Sequence, residues 1–258
     1  PEALAELVAA LKAAGRFAFD TETTSLDPLK AKLVGMSFCW AEEEAVYVPI
    51  AHEVGTNCPG ALAALGPILA DASIKKTGQN LKYDLKVLRA NGFDLLGIAG
   101  DTMLADYLLN VDQKHNLDAL ALRHLGHTMI SYKEVARQHG NLFARVPIED
   151  ATKYAAEDAH VAWHLEPKLE LKGAMKALYD DVEIPLIPIL AEMELTGIGV
   201  DVDELSAMST ELGTQIEAMV KTIHTIAGET FNINSTQQLA KILFDKRKHK
   251  PVKKTKSG

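Results

Sequence analysis

The chain has 258 residues, 47% hydrophobic and 24% charged, with a net charge of −8, an ordinary globular composition with room for one large domain or a domain plus an appendage. No apolar run approaches the roughly 18 residues needed to cross a bilayer, which excludes a transmembrane helix. Cys39 and Cys58 are the only cysteines; with no metal-ligand spacing between them they read as inert thiols of a reducing, cytoplasmic compartment. The start, Pro1-Glu2, has no basic n-region or apolar h-region, so no signal peptide is expected and the chain reads as a processed product or a piece of a longer one.

Residues 1–14 pattern as an amphipathic helix, with Leu4, Leu7, Val8 and Leu11 on one face and Gly15 as the stop. Arg16 to Phe19 reads as a buried strand. A turn-rich stretch with Asp27-Pro28 follows, then strands over 32–40 and 45–50 joined by Ala41-Glu42-Glu43-Glu44 as a hairpin. A helix over 59–70, a short strand over 73–77 and a helix over 81–90 stopped by Asn91-Gly92 come next. Helices are then expected over 101–110 capped by Asp101, over 116–124 capped by Asn116, over 131–139, and over 148–171 with Glu149 and Asp150 in its first turn. Beyond Gly173 a helical pattern runs to Leu195, bent or broken at Pro185 and Pro188. A turn and short strand at 196–200, a helix over 203–227, an extended 231–234 and a helix capped by Ser235 complete the chain. Strands interrupted by helices, then a helical remainder, predict an α/β domain with a mixed sheet.

The chemistry is concentrated in acids. Asp20 and Glu22 end the first strand one residue apart, so they project to the same face, where two unpaired carboxylates repel unless a cation lies between them. Asp84 falls in the first turn of the helix that follows the 73–77 strand. Tyr154 and Asp158 lie one helical turn apart on one face. Hard divalent cations take oxygen ligands, and a pair of them stabilises both the entering and the leaving oxygen of a phosphoryl displacement. A phenol is a poor base at neutral pH but can orient water. Singly, each residue has a plainer reading as a cap, a dipole partner or a surface group. Lys246, Arg247, Lys248, Lys250, Lys253, Lys254 and Lys256 form a tail over 246–258 with no acid after Asp245, a phosphate binder or a solvated end. The rest of the chain is more acidic still, so contact with a polyanion must be local and assisted by metal ions.

Phe19-Asp20-Thr21-Glu22-Thr23, Gly78-Gln79-Asn80-Leu81-Lys82-Tyr83-Asp84 and Tyr154-Ala155-Ala156-Glu157-Asp158 resemble the three exonuclease motifs of the family A (bacterial polymerase I) DNA polymerases. That is the tyrosine-containing Asp-Glu-Asp-Asp class of ribonuclease-H-like 3′–5′ exonucleases. Val48-Pro49-Ile50-Ala51-His52, Asp101-Thr102-Met103-Leu104 and Tyr107-Leu108-Leu109-Asn110 resemble the same family. Glu183-Ile184-Pro185-Leu186, Gly197-Ile198-Gly199-Val200-Asp201 and the stretch from Phe231 to Leu239 resemble the start of its polymerase thumb.

The resemblance implies a ribonuclease-H-like fold with a mixed five-stranded sheet and flanking helices over 1–173, then a helical partial thumb over 174–258. It implies proofreading removal of 5′-mononucleotides from single-stranded or frayed DNA 3′ ends with two divalent ions, Mg²⁺ or Mn²⁺, with Zn²⁺ possible at the first site. Asp20, Glu22 and Asp158 would hold the first ion and Asp20 with Asp84 the second, with Tyr154 beside the attacking water. Leu26 and Tyr132 would meet the terminal bases, and Gln79, Asn80 and Lys114 the single strand; core packing is the plainer reading of Leu26 and Tyr132. The family's palm and fingers are not in these residues, so nucleotide addition is expected only of a parent chain, acting as a monomer. Two other readings are an RNA-trimming exonuclease of the same superfamily and a silent domain that docks DNA. His52, His115, His127 and His160 find no ligand partners in the sequence and receive no role.

Overall fold

Five strands, β1 (Arg16–Thr23), β2 (Leu33–Ala41), β3 (Glu44–Pro49), β4 (Lys75–Gly78) and β5 (Ile98–Asp101), form one mixed sheet in the order β3-β2-β1-β4-β5. β1 to β3 are antiparallel neighbours, and β4 and β5 run parallel to β1. The computed structural model describes residues 2–250 and divides the chain into two units, Pro1–Gly197 and Ile198–Gly258. The first carries the sheet with helices α1 (Glu2–Ala14), α2 (Ala61–Leu69), α3 (Leu81–Ala90), α4 (Thr102–Leu109), α5 (Leu117–Leu120), α6 (Tyr132–Ala136), α7 (Ile148–Leu165), α8 (Gly173–Leu178) and α9 (Ile184–Thr196).

Alternation along β1 decides what each face of the sheet meets. Phe17 and Phe19 turn into a core with Phe38, Met36 and the apolar sides of α1, α2 and α3, their rings 5.6 and 5.4 Å from that of Phe38. Ala18 turns the other way, against Cys39 and against Ala159 and Ala162 of α7. Along α7 the buried alanines Ala151, Ala155, Ala159 and Ala162 form a stripe at helical spacing, and small side chains there let the helix lie close across β1, β2 and β3. Gly78 ends β4 where a Cβ would fall 2.6 Å from the Phe19 carbonyl oxygen and 2.5 Å from Leu81, so only glycine fits. Burial pushes the Cys39 thiol up to about 11, which keeps it unreactive near neutral pH.

The 41–44 hairpin, the antiparallel pairing of β1 with β2 and of β2 with β3, and the 81–90 helix form as the patterns predict. Asp101 caps α4 by accepting from the Met103 and Leu104 amides, and Ser131 makes a capping box with Glu134 at α6. Other expectations need correction. α7 stops at Leu165 rather than Leu171, because Pro167 lets the chain continue only as a 3₁₀ turn, Glu166–Lys168. Asn116 occupies the cap position of α5, but its amide donates to Asp118 instead of capping. The helix past α5 continues as a π turn, Ala121–Leu125. Near Pro185 the helical run is not broken; a π turn, Tyr179–Glu183, absorbs the missing amide ahead of α9. The strand expected at 196–200 does not form, and of the expected extended segment 231–234 the last two residues, Ile233 and Asn234, form a turn.

The described residues of the unit Ile198–Gly258 form α10 (Val202–Ala227), capped by Asp201 and closed by Gly228 at φ 77°, and α11 (Thr236–Ala240), capped by Ser235. Leu205, Met208, Leu212, Ile216, Met219, Ile223 and Ile226 are exposed along α10. Of the basic tail, 251–258 lies outside the described residues. No helix among the described residues is long and apolar enough to cross a membrane.

Candidate active site

The alternation that sends Ala18 towards α7 sends Asp20 and Glu22 the same way. Asp158 stands on α7 beside the alanine stripe. One carboxylate oxygen from each of Asp20, Glu22 and Asp158 lies within 4.8 Å of the other two. Asp84, in the first turn of α3, is buried and accepts at Oδ1 from both the Thr21 amide (3.0 Å) and the Thr21 hydroxyl (2.5 Å). A strand end and two helices thus deliver four acids to one place.

Their ionisation reports the crowding. Burial, then the charges of Asp84, Asp158 and Glu22, hold the Asp20 carboxyl well above the usual range. Burial and the charges of Asp158 and Asp84 do the same to Glu22. Asp158 is pushed up to about 8 by burial and by Glu157 and Asp118. Asp84 is pushed up to about 7 by burial, against the pull of Thr21. Oε1 of Glu22 is buried and has no hydrogen-bond partner. A buried oxygen left unpaired beside two other carboxylates is what a hard cation satisfies, so the donor set fits divalent metal.

Tyr154 lies one turn before Asp158, its hydroxyl pushed far up by burial and by the neighbouring acids Asp158, Glu22 and Asp20. Phe143, buried, packs against Tyr154 (ring centroids 5.6 Å apart) and stacks on Tyr132 (6.3 Å). Tyr154 and Tyr132, which Phe143 backs, line a cleft of about 630 Å³ together with Asp20, Glu22, Leu26, Tyr83, Asn141 and Asp158. Leu26 is 96% exposed, which removes core packing as its explanation. Tyr132 is 42% exposed and donates to the Asn141 carbonyl. Tyr83 and Asn141 are among the lining residues to which the sequence assigns no role. Tyr83 hydrogen-bonds Thr23 and the Ser25 carbonyl, each at 2.6 Å, and so pins the segment leading to Leu26. Its position next to Asp84 in the motif was the available signal. Asn141 sits at φ 58°, and no pattern in the sequence points to it.

Gln79, Asn80 and Lys114 are not among the residues lining that cleft. The Gln79 side chain is engaged at both ends, donating to the His115 carbonyl (2.7 Å) and accepting from the Thr102 hydroxyl. Asn80 is the left-handed cap residue of α3, at φ 59°. Lys114 is exposed, its carbonyl held by Arg123. Behind this segment Asp106, fully buried, accepts from His115, Arg123, His124 and Asn110.

The sequence profile of the 3'-5' exonuclease family matches residues 1–174, and that of DNA polymerase family A matches 202–258. DNA polymerase I of Pseudomonas aeruginosa is 40% identical over 96% of this chain and 29% of its own length, and DNA polymerase I of Synechocystis is 38% identical over 93% of this chain and 26% of its own. The chain therefore spans less than a third of these curated relatives. Among solved structures, the POL domain of Pol1 from M. smegmatis, in complex with DNA primer-template and dNTP, superposes with a TM-score of 0.71 at 28% identity, over 98% of this chain and 42% of that one. The exonuclease family implies divalent metal use, in agreement with the acidic cluster. On the profile match over two thirds of its residues, the chain belongs to the 3'-5' exonuclease family found in the bacterial DNA polymerases I, and it is a 3'-5' exonuclease.

Proposed function

We propose that this chain is the proofreading module of a DNA polymerase I, hydrolysing the terminal phosphodiester of single-stranded or frayed DNA 3′ ends and releasing 5′-mononucleotides. The observation that carries the reading is the meeting of Asp20, Glu22 and Asp158 within 4.8 Å, with one buried Glu22 oxygen unpaired. In this reading Asp20, Glu22, Asp84 and Asp158 hold two divalent ions, Mg²⁺ or Mn²⁺, with Zn²⁺ an option at the first site. Ions bound there supply charge against the reacting phosphate and acidify water.

The remaining work falls to side chains. Tyr154, kept protonated by burial and by its acidic neighbours, cannot serve as a base; its hydroxyl orients the water that attacks. Leu26 stands into solvent at the rim of the cleft and wedges between the last two bases. Tyr132, backed by Phe143, stacks on a base. Lys114 contacts a phosphate, Asn80 lines the strand, and Gln79 holds the His115 segment in register. Residues 1–173 form the exonuclease domain and 174–258 the start of a polymerase thumb with its basic tail. Nucleotide addition would belong to the palm and fingers of the parent, a monomer working on the DNA of the bacterial cytoplasm.

Asp20→Ala should abolish Mg²⁺-dependent, chelator-sensitive degradation of a labelled single strand while leaving the circular dichroism spectrum unchanged. Undiminished degradation would overturn the reading. Parallel digestion of RNA and DNA of the same sequence tests the substrate class: preference for RNA would replace the proofreading role with RNA trimming.

A further inference from the structure

His160 and His164 lie one turn apart on α7, with their Nε2 atoms 3.1 Å apart and their rings 4.3 Å apart. Each Nε2 also meets the backbone oxygen of Glu42, at 3.0 and 3.1 Å, in the turn between β2 and β3. Protons alone cannot make hydrogen bonds of all three contacts. For the two nitrogens to bond each other, one must be unprotonated, and its lone pair then faces the carbonyl oxygen. If both nitrogens instead donate to the carbonyl, their own contact is left without an acceptor. A cation seated over the triangle engages all three lone pairs at once. With metal–ligand distances of about 2.1 Å, edges of this length correspond to angles of about 90–100° at the ion.

The ligand set also selects the ion. Imidazole suits Zn²⁺, Ni²⁺ and Cu²⁺, whereas Mg²⁺ and Ca²⁺ seek oxygen. Glu42, Glu43 and Glu44, all exposed on the same turn, add negative potential around the triangle. Two residues of helix place His160 about 200° around the axis from Asp158, so this site and the acidic cleft lie on different sides of α7. The other histidine cluster, at Asp106, is already closed by the Arg123 guanidinium. We propose that His160, His164 and the Glu42 carbonyl form a tridentate site for a borderline divalent transition metal, which fastens α7 to the β2–β3 turn. A ligand bound by the folded chain and not by the unfolded one stabilises this packing, and α7 is the helix that carries Tyr154 and Asp158.

The test uses the full chain without an affinity tag, in excess Mg²⁺, titrated with Ni²⁺ and followed by NMR of the histidine Cε1–H signals and by melting temperature. The expected result is that the His160 and His164 signals broaden before those of any other histidine and that the melting temperature rises. His160→Gln and His164→Gln should each weaken binding at least tenfold and remove the rise, while Asp20→Ala retains both. Both histidines are half-buried, so the glutamine variants should keep the metal-free spectrum. Should either variant misfold, electron paramagnetic resonance of the wild-type chain with one equivalent of Cu²⁺ decides. Hyperfine coupling to two imidazole nitrogens supports the site. Its absence, binding unchanged in His164→Gln, or binding lost in Asp20→Ala would overturn the proposal.

Discussion

The amide and the hydroxyl of Thr21 both donate to a single oxygen of Asp84. A residue between the two strand acids thereby fixes the acid that comes from α3. Thr21→Val keeps the shape and the amide bond and loses the hydroxyl bond. The expected cost is about 1.5–3 kcal/mol in urea unfolding, the range for a hydrogen bond to a charged group, and a higher Mg²⁺ concentration for half-maximal strand degradation. An unchanged Mg²⁺ dependence would show that Asp84 needs no such anchor.

Tyr154→Phe preserves the ring that packs on Phe143 and removes only the hydroxyl. Degradation of single strands should fall about 10- to 100-fold in kcat, the scale of a misplaced reactant, with KM little changed. A comparable loss in KM would assign the hydroxyl to binding instead.

Asn80 separates a backbone role from a side-chain role, because it caps α3 in the left-handed region. Asn80→Ala should cost roughly 1 kcal/mol, because alanine keeps the β-carbon but lacks the short polar side chain by which asparagine tolerates that conformation. Asn80→Gly should leave stability near wild type while weakening single-strand affinity. Equal melting temperatures for the two variants would rule out backbone strain as the reason for asparagine.

Leu26 stands free of the core, so Leu26→Ala should leave the melting temperature within experimental error. Duplex ends, which must be opened, should then be degraded more slowly by a larger factor than single strands. Equal slowing on both substrates would count against a wedge.

At Asp106, burial works against ionisation, but hydrogen bonds from His115, Arg123, His124 and Asn110 outweigh it and bring the carboxyl down to about 2. A carboxylate whose folded pKa lies below its unfolded value of about 3.9 stabilises fully above that value. The contribution is lost as pH falls from about 4 towards 2. Asp106→Asn should lose about 2–3 kcal/mol at pH 7, where Arg123 forfeits a charged partner. It should also show a shallower decline of stability between pH 4 and 2 in acid unfolding monitored by circular dichroism. An acid limb as steep as wild type would place the titrating group elsewhere.

The sequence made most of this site legible because its key residues sit on elements with strong local signals. Phe17 and Phe19 announce a buried strand, so the direction of Asp20 and Glu22 follows from alternation alone. The 81–90 helix is bounded by Asn91-Gly92, and Asp84 is placed by counting from its start. What stayed hidden depends on tertiary contact. β5 is four residues, Ile98–Asp101, with a glycine inside and no clean alternation of burial; its existence came only with the family resemblance. The π turns that follow α5 and α8 leave no trace in periodicity. Gln79 looked free in sequence because its partners, Thr102 and His115, come from distant segments. His160 has no visible partner in the sequence, because half of its partnership is a main-chain oxygen.

Asp101 accepts from the Asn80 and Leu81 amides at the start of α3 as well as from Met103 and Leu104 at the start of α4. One carboxylate therefore closes two helices, and neither can fray at its first turn without releasing the other. Amide hydrogen exchange at Leu81 and Leu104 should consequently be governed by one shared opening event, making the entrance to α3, and with it Asp84, as durable as the sheet edge to which Asp101 belongs.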